Sequence, residues 1–138
     1  IMTNCDMLTR LLKEVDNEHN GITFCTGSYG TDRANDLCET IHALKGRIHF
    51  AHVRNLKFHS EREFEEAAHL SADGDFDMYR IMKALYDIGF NGPIRPDHGR
   101  MIWGEKAMPG YGLYDRALGA AYLNGLWEAI EKQSRFRY

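Results

Sequence analysis

Apolar residues recur along this chain with two alternating periods. In "CDMLTRLLKEVD" (5–16), Met7, Leu8, Leu11, Leu12 and Val15 fall at helical spacing, and Asn20-Gly21 closes the segment. "ITFC" (22–25) is a short run of β-formers, followed by a glycine-rich turn, "TGSYGT" (26–31). "DRANDLCETIHAL" (32–44) predicts a helix with Leu37, Ile41 and Leu44 on one stripe, punctuated by Gly46. "RIHFAHVRN" (47–55) is the clearest strand: Ile48, Phe50, His52 and Arg54 share one face, and His49, Ala51 and Val53 the other. A long polar connection follows, with a short helix expected near Glu61–Ala68. "FDMYRIMKALYDIGF" (76–90) predicts an amphipathic helix capped at Gly89. "GPIRPD" (92–97) predicts a third strand with Pro96 near its end, since proline donates nothing to a ladder. After the loop "HGRMIWGEKAMPGYG", a helix is expected over 113–132.

The order is one helix and then βα three times. Strands separated by helices pair in parallel, because a parallel connection needs a crossover. A (β/α)8 barrel takes about 250 residues, so roughly three of its eight units are present. Three strands alone leave two open edges and half-covered apolar faces. The expectation is α/β: residues 1–138 as the C-terminal part of a single TIM (β/α)8 barrel domain, without a linker or second domain. The start reads as internal, because Ile1 precedes Met2 and a helix begins almost at once. A flavodoxin-like open sheet is the alternative, but it needs about five strands.

Composition narrows the partners. The chain has 138 residues, 43% hydrophobic and 27% charged, with a formal net charge of −3. Basic residues are not bunched, so neither nucleic acid nor an anionic membrane has an electrostatic footprint. No apolar run approaches the roughly 18 residues of a membrane span, and "IMTNCDMLTR" lacks a signal-peptide pattern. Cys5, Cys25 and Cys38 are odd in number and form no CxxC pair, which favours reduced thiols in the cytoplasm.

In parallel barrels the active site lies at the C-terminal ends of the strands. Cys25 ends the first strand, His52 lies close to the end of the second, and Asp97 ends the third. Thiolate, imidazole and carboxylate together suit a divalent transition metal. Each also has a plainer reading: a buried core cysteine, a hydrogen-bonded core histidine, and a turn aspartate. Their coincidence at three successive strand ends makes the two readings about equal. His49 is expected to pack toward a helix, and His19, His42 and His59 to lie on the surface. "CTGSYG" could bind an oxyanion through backbone N–H groups, but it lacks a nucleotide-binding pattern.

The segments "GITFCTGSYG…NDL", "RIHFAHVRN", "FEEAAHLSADGDFDMYRIMKAL", "IRPDHGR" and "PGYG" occur in the order and approximate spacing seen in mannonate dehydratases. The chain resembles the C-terminal part of that family, a barrel of the xylose-isomerase-like kind. The resemblance implies Mn2+ or Fe2+ held by His, Cys, His and Asp. Cys25, His52 and Asp97 match three of these positions, and the first histidine would lie upstream of residue 1. Arg100 stands where family members often carry a histidine-like polar residue.

The resemblance also implies dehydration of D-mannonate to 2-keto-3-deoxy-D-gluconate, a step in hexuronate catabolism. That reaction needs one group to take the C2 proton and another to protonate the departing C3 oxygen. His98 and Tyr111 are the candidates, Tyr111 having the plainer reading of a packed loop aromatic. Arg54 is the candidate bidentate partner of the substrate carboxylate, with a surface or interface salt bridge as the equal alternative, and His69 is a candidate that either orients substrate or only orders its loop. A cytoplasmic homo-oligomer, a dimer in the full-length form, is expected. Two alternatives stand beside the lyase: a metal-dependent sugar or sugar-acid isomerase or epimerase of the same barrel class, and an inactive assembly module. The isolated 138-residue chain is expected to lack turnover.

Overall fold

The computed structural model describes residues 2–135. Its helices are α1 (Cys5–Glu14), α2 (Thr26–Tyr29), α3 (Leu37–Ala43), α4 (Met78–Asp87) and α5 (Leu113–Arg135). Its strands are β1 (Ile22–Cys25), β2 (Ile48–His52), β3 (Asn55–Ser60), β4 (Glu63–Ala67) and β5 (Ile94–Arg95). β1, β2 and β5 form a parallel sheet in that order, and β3 and β4 form a separate antiparallel hairpin.

Side chains cap three helices. The Asn4 carboxamide oxygen accepts from Met7 N, the Asp36 carboxylate from Glu39 N, and the Asp77 carboxylate from Arg80 N. Asp36 explains why α3 begins at Leu37 rather than at residue 32: the cap turns residues 32–36 out of the helix. Phe24, Ile41, Leu44, Ala51, Val53, Met78, Met82, Leu85 and Ile130 are fully or almost fully buried and form the core between sheet and helices. No helix among the described residues is long and apolar enough to cross a membrane.

Two expectations need correction. The connection after β2 is not helical over 61–68 but forms the β3–β4 hairpin. Phe58 pairs with Phe64 across it, with ring centroids 5.8 Å apart. Asp75 then binds Phe58 N and Lys57 Nζ at 2.7 and 2.9 Å. These long-range partners override the helix propensity of a glutamate-rich run. His49 does not pack toward a helix. It is exposed, and its ring lies over Gly21.

Parallel register aligns the strand ends. Cys25 pairs with His52, and His52 with Arg95. Pro96 follows the last ladder residue, as its missing N–H requires.

Candidate metal and proton-transfer site

The register delivers Cys25, His52 and Asp97 to one end of the sheet. One ligand atom from each lies within 4.8 Å of the others. Cys25 Sγ is 3.7 Å from Asp97 Oδ2, and His52 Nδ1 is 3.3 Å from Asp97 Oδ1. Asp97 is 5% exposed and adopts a left-handed backbone, φ 63°. That conformation is uncommon outside glycine and costs of order 1–3 kcal/mol where it is imposed. It sits two residues beyond Arg95, where the chain must turn a side chain back over the sheet.

Burial holds the His52 pKa below 6.5. Asp97 opposes that shift, while Arg95, Arg54 and His98 add to it. His52 is therefore a neutral imidazole at neutral pH, the form that ligates metal. Its Nε2 is buried without a hydrogen-bond partner. A thiol, a neutral imidazole and a buried carboxylate with an unpartnered ring nitrogen fit a divalent transition ion.

The motif residues between these groups have distinct structural tasks. Thr26 Oγ1 donates to Arg54 O at 2.7 Å and accepts from Arg54 N at 2.9 Å. This ends β2 and fixes the direction of Arg54. Gly27 leaves the space that the Arg54 guanidinium occupies, and a Cβ there would overlap it. Val53 is buried in the core, and Asn55 is fully buried. The Asn55 amide donates to Ala68 O and Leu70 O, and its oxygen accepts from Leu56 N and Phe76 N. "CTG" and "HVRN" thus alternate site residues with residues that hold the site.

Arg54 bridges two carboxylates. Its Nη1 pairs with Glu66, and its Nε lies 3.0 Å from Asp97 Oδ2 as an ion pair without an aligned hydrogen bond. Burial lowers the Arg54 pKa, but Glu66, Cys25 and Asp97 together raise it above its ordinary value. Nη1 is bonded to Glu66 and Nε is turned to Asp97 as an ion pair, while Nη2 makes no hydrogen bond among the described residues. The expectation of a bidentate grip on substrate therefore reduces to one free nitrogen. Arg95 Nη2 is 3.4 Å from Asp97 Oδ1 and supplies a second guanidinium.

His98 Nδ1 lies 2.8 Å from Glu66 Oε1 and 2.9 Å from Arg54 Nη1. A guanidinium only donates and a carboxylate only accepts, so Nδ1 lies between a donor, Arg54, and an acceptor, Glu66. A proton on Nδ1 would bond to Glu66 and leave the Nε2 lone pair available. Tyr111 is half exposed on the following loop, under the Arg116 guanidinium at 5.8 Å. Gly99 and Tyr111 form a parallel bridge, and a Cβ on Gly110 would stand in van der Waals contact with the His98 ring. For His69 the placement favours the loop-ordering reading over the substrate-orienting one. It is 2% exposed and bonded to Pro96 O, so its ring does not open onto the rim.

Glu66, Thr26, Arg95 and Asn55 were not among the sequence candidates. For Glu66 a signal existed: Phe64 and Glu66 stand two apart after a two-residue turn, which is strand spacing. Nothing local marks the other three.

A D-mannonate dehydratase (UxuA) family profile matches residues 1–137. The chain belongs to the D-mannonate dehydratase family. The mannonate dehydratase of Brachyspira hyodysenteriae is 59% identical over 135 residues, 98% of this chain and 38% of the relative. That of Thermotoga petrophila is 59% identical over 137 residues, again 38% of its length. The crystal structure of mannonate dehydratase from Streptococcus suis serotype2 superposes with a TM-score of 0.92 at 47% identity, over 97% of this chain and 39% of that one. A xylose isomerase domain protein from Planctomyces limnophilus shares the fold alone, at TM-score 0.72 and 20% identity, over 95% of this chain and 46% of that one. The chain thus spans about 38% of the length of its curated dehydratase relatives, and its sheet is part of a barrel of the xylose-isomerase-like kind.

Proposed function

We propose that the protein carrying this chain dehydrates D-mannonate to 2-keto-3-deoxy-D-gluconate, in the cytoplasm and as a homo-oligomer. The gathering of Cys25, His52 and Asp97 at one strand-end rim carries this reading, with family membership behind it. We take residues 1–138 as the C-terminal part of one barrel domain. Cys25, His52 and Asp97 would hold Mn2+ or Fe2+, with a further ligand from outside this chain. When bound, such an ion stabilises negative charge that develops beside the substrate carboxylate.

The chain's own residues account for the rest. His98 and Tyr111 are the proton-transfer pair: one removes the C2 proton, and the other delivers a proton to the departing C3 oxygen. Glu66 orients His98 by accepting its Nδ1–H, so the lone pair at Nε2 is the one available for proton transfer. Arg54, through Nη2, and Arg95 face the negative carboxylate of the sugar acid. Asp97 lies between these two guanidinium groups.

The test uses the full-length enzyme. Chelation should abolish turnover, and Mn2+ or Fe2+ should restore it. Incubation with D-mannonate should yield a 2-keto-3-deoxy acid with loss of water; an isomeric sugar acid with no water lost would instead support an isomerase or epimerase. Unchanged metal content and turnover in Cys25→Ala or Asp97→Ala would show that the site is wrongly assigned.

A further inference from the structure

The backbone around Asp97 is held at few points. Of the backbone groups of Pro96, Asp97 and His98, the Pro96 carbonyl is the one with a hydrogen-bond partner among the described residues. That partner is His69 Nε2, at 2.7 Å. A carbonyl only accepts, so Nε2 carries the proton and Nδ1 of the neutral ring bears the lone pair. Nδ1 is buried and has no partner. It lies against Gly119 of α5, where a Cβ would overlap the imidazole.

This is an odd place for a histidine. A phenylalanine would fill the slot without burying an orphaned ring nitrogen, and an unpaired buried acceptor is destabilising. What imidazole adds is the donor to Pro96. The next residue, Asp97, is in the left-handed conformation that L-residues resist. The ring is wedged between the strand end and Gly119, so it cannot withdraw toward α5.

We propose that His69 is a positioning residue: its bond to the Pro96 carbonyl holds Asp97 in the left-handed turn that lays its carboxylate beside Cys25 and His52. It acts through the backbone and touches neither substrate nor metal. The consequence for metal binding rests on the reading of Asp97 as a metal ligand; the consequence for backbone geometry does not.

Four forms of the full-length, metal-free protein test it: wild type, His69→Gln, His69→Asn and His69→Phe. The Gln amide nitrogen reaches the position of imidazole Nε2. The Asn nitrogen reaches only that of Nδ1, and Phe keeps the ring without a donor. Titration with Mn2+ alone should show binding weakened about 10-fold or more in the Asn and Phe forms, and near wild type in the Gln form. Crystal structures of the metal-free proteins should show Asp97 displaced from Cys25 and His52 in the Asn and Phe forms only. Equal behaviour of the Gln and Asn forms, or an undisplaced Asp97 in the Asn form, overturns the proposal. If wild type itself binds no Mn2+, the metal reading fails, and the metal-free structures alone decide the role of His69.

Discussion

At the residue scale, the candidate site is built from pairs in which one polar side chain meets a neighbour that makes room for it or holds it. Gly27 and Arg54 are such a pair. The guanidinium lies where a Cβ on residue 27 would stand, and from there it reaches both Asp97 and Glu66. Gly27→Ala should therefore do two things. Overpacking should cost about 1–3 kcal/mol, seen as a lowered melting temperature. Arg54 should also be displaced, lowering kcat/KM for D-mannonate. A Gly27→Ala enzyme with unchanged stability and turnover would show that this close approach is not required. His98 and Glu66 form a second pair, in which the carboxylate lies 2.8 Å from His98 Nδ1. None of these pairings is adjacent in sequence, so single-residue reading could nominate Arg54 and His98 but not what holds them.

At the element scale, the strands were legible and the excursion between them was not. β1, β2 and β5 lie inside their expected ranges, and α1, α4 and α5 depart from theirs only at the ends. The hairpin over 55–67 was missed because its residues favour a helix locally, while Phe58, Phe64 and Asp75 find partners only after the chain folds. A second long-range link joins the rim loop to α5. Arg100 donates to Asp115 through its backbone N and through Nε and Nη2, at 2.8, 3.0 and 3.1 Å. Arg100 thus clamps the first turn of the last helix. Burial pushes the Asp115 pKa up, but the bonds from Arg100 outweigh it and hold the pKa below 3.8. A carboxylate depressed in the folded state contributes stability that is fully present above its unfolded value and is lost as pH falls toward the folded one. The melting-temperature gap between wild type and Asp115→Asn should be widest near neutral pH and shrink below about pH 4. A gap that stays constant down to pH 2 would rule out this clamp as an acid-labile element.

At the scale of the whole molecule, three parallel strands leave β1 and β5 with one unpaired edge each among the described residues. Between β5 and α5 runs a groove lined by Phe90, Ile94, Pro96, Leu123 and Trp127. Trp103, Met108, Leu113, Tyr114 and Leu118 are exposed along the rim loop and the start of α5. Open strand edges and contiguous apolar surface drive association. We expect the isolated 138-residue chain to self-associate in light scattering and to turn over no D-mannonate. A monodisperse, active monomer would contradict both the barrel reading and the need for a ligand from outside the chain.

The sequence by itself determined the alternation of helix and strand, the parallel pairing, the placement of Cys25, His52 and Asp97 at strand ends, and the resemblance to mannonate dehydratases. Those features depend on local periodicity, on turn chemistry and on short motifs in order. Tertiary structure alone decided that Cys25 and Asp97, 72 residues apart, meet at 3.7 Å. It also decided that Arg54 bridges Asp97 and Glu66, and that His69 is buried against the Pro96 carbonyl instead of facing the rim. These depend on strand register, on a left-handed turn and on close approaches at Gly27 and Gly119, all set by packing between segments far apart in the chain.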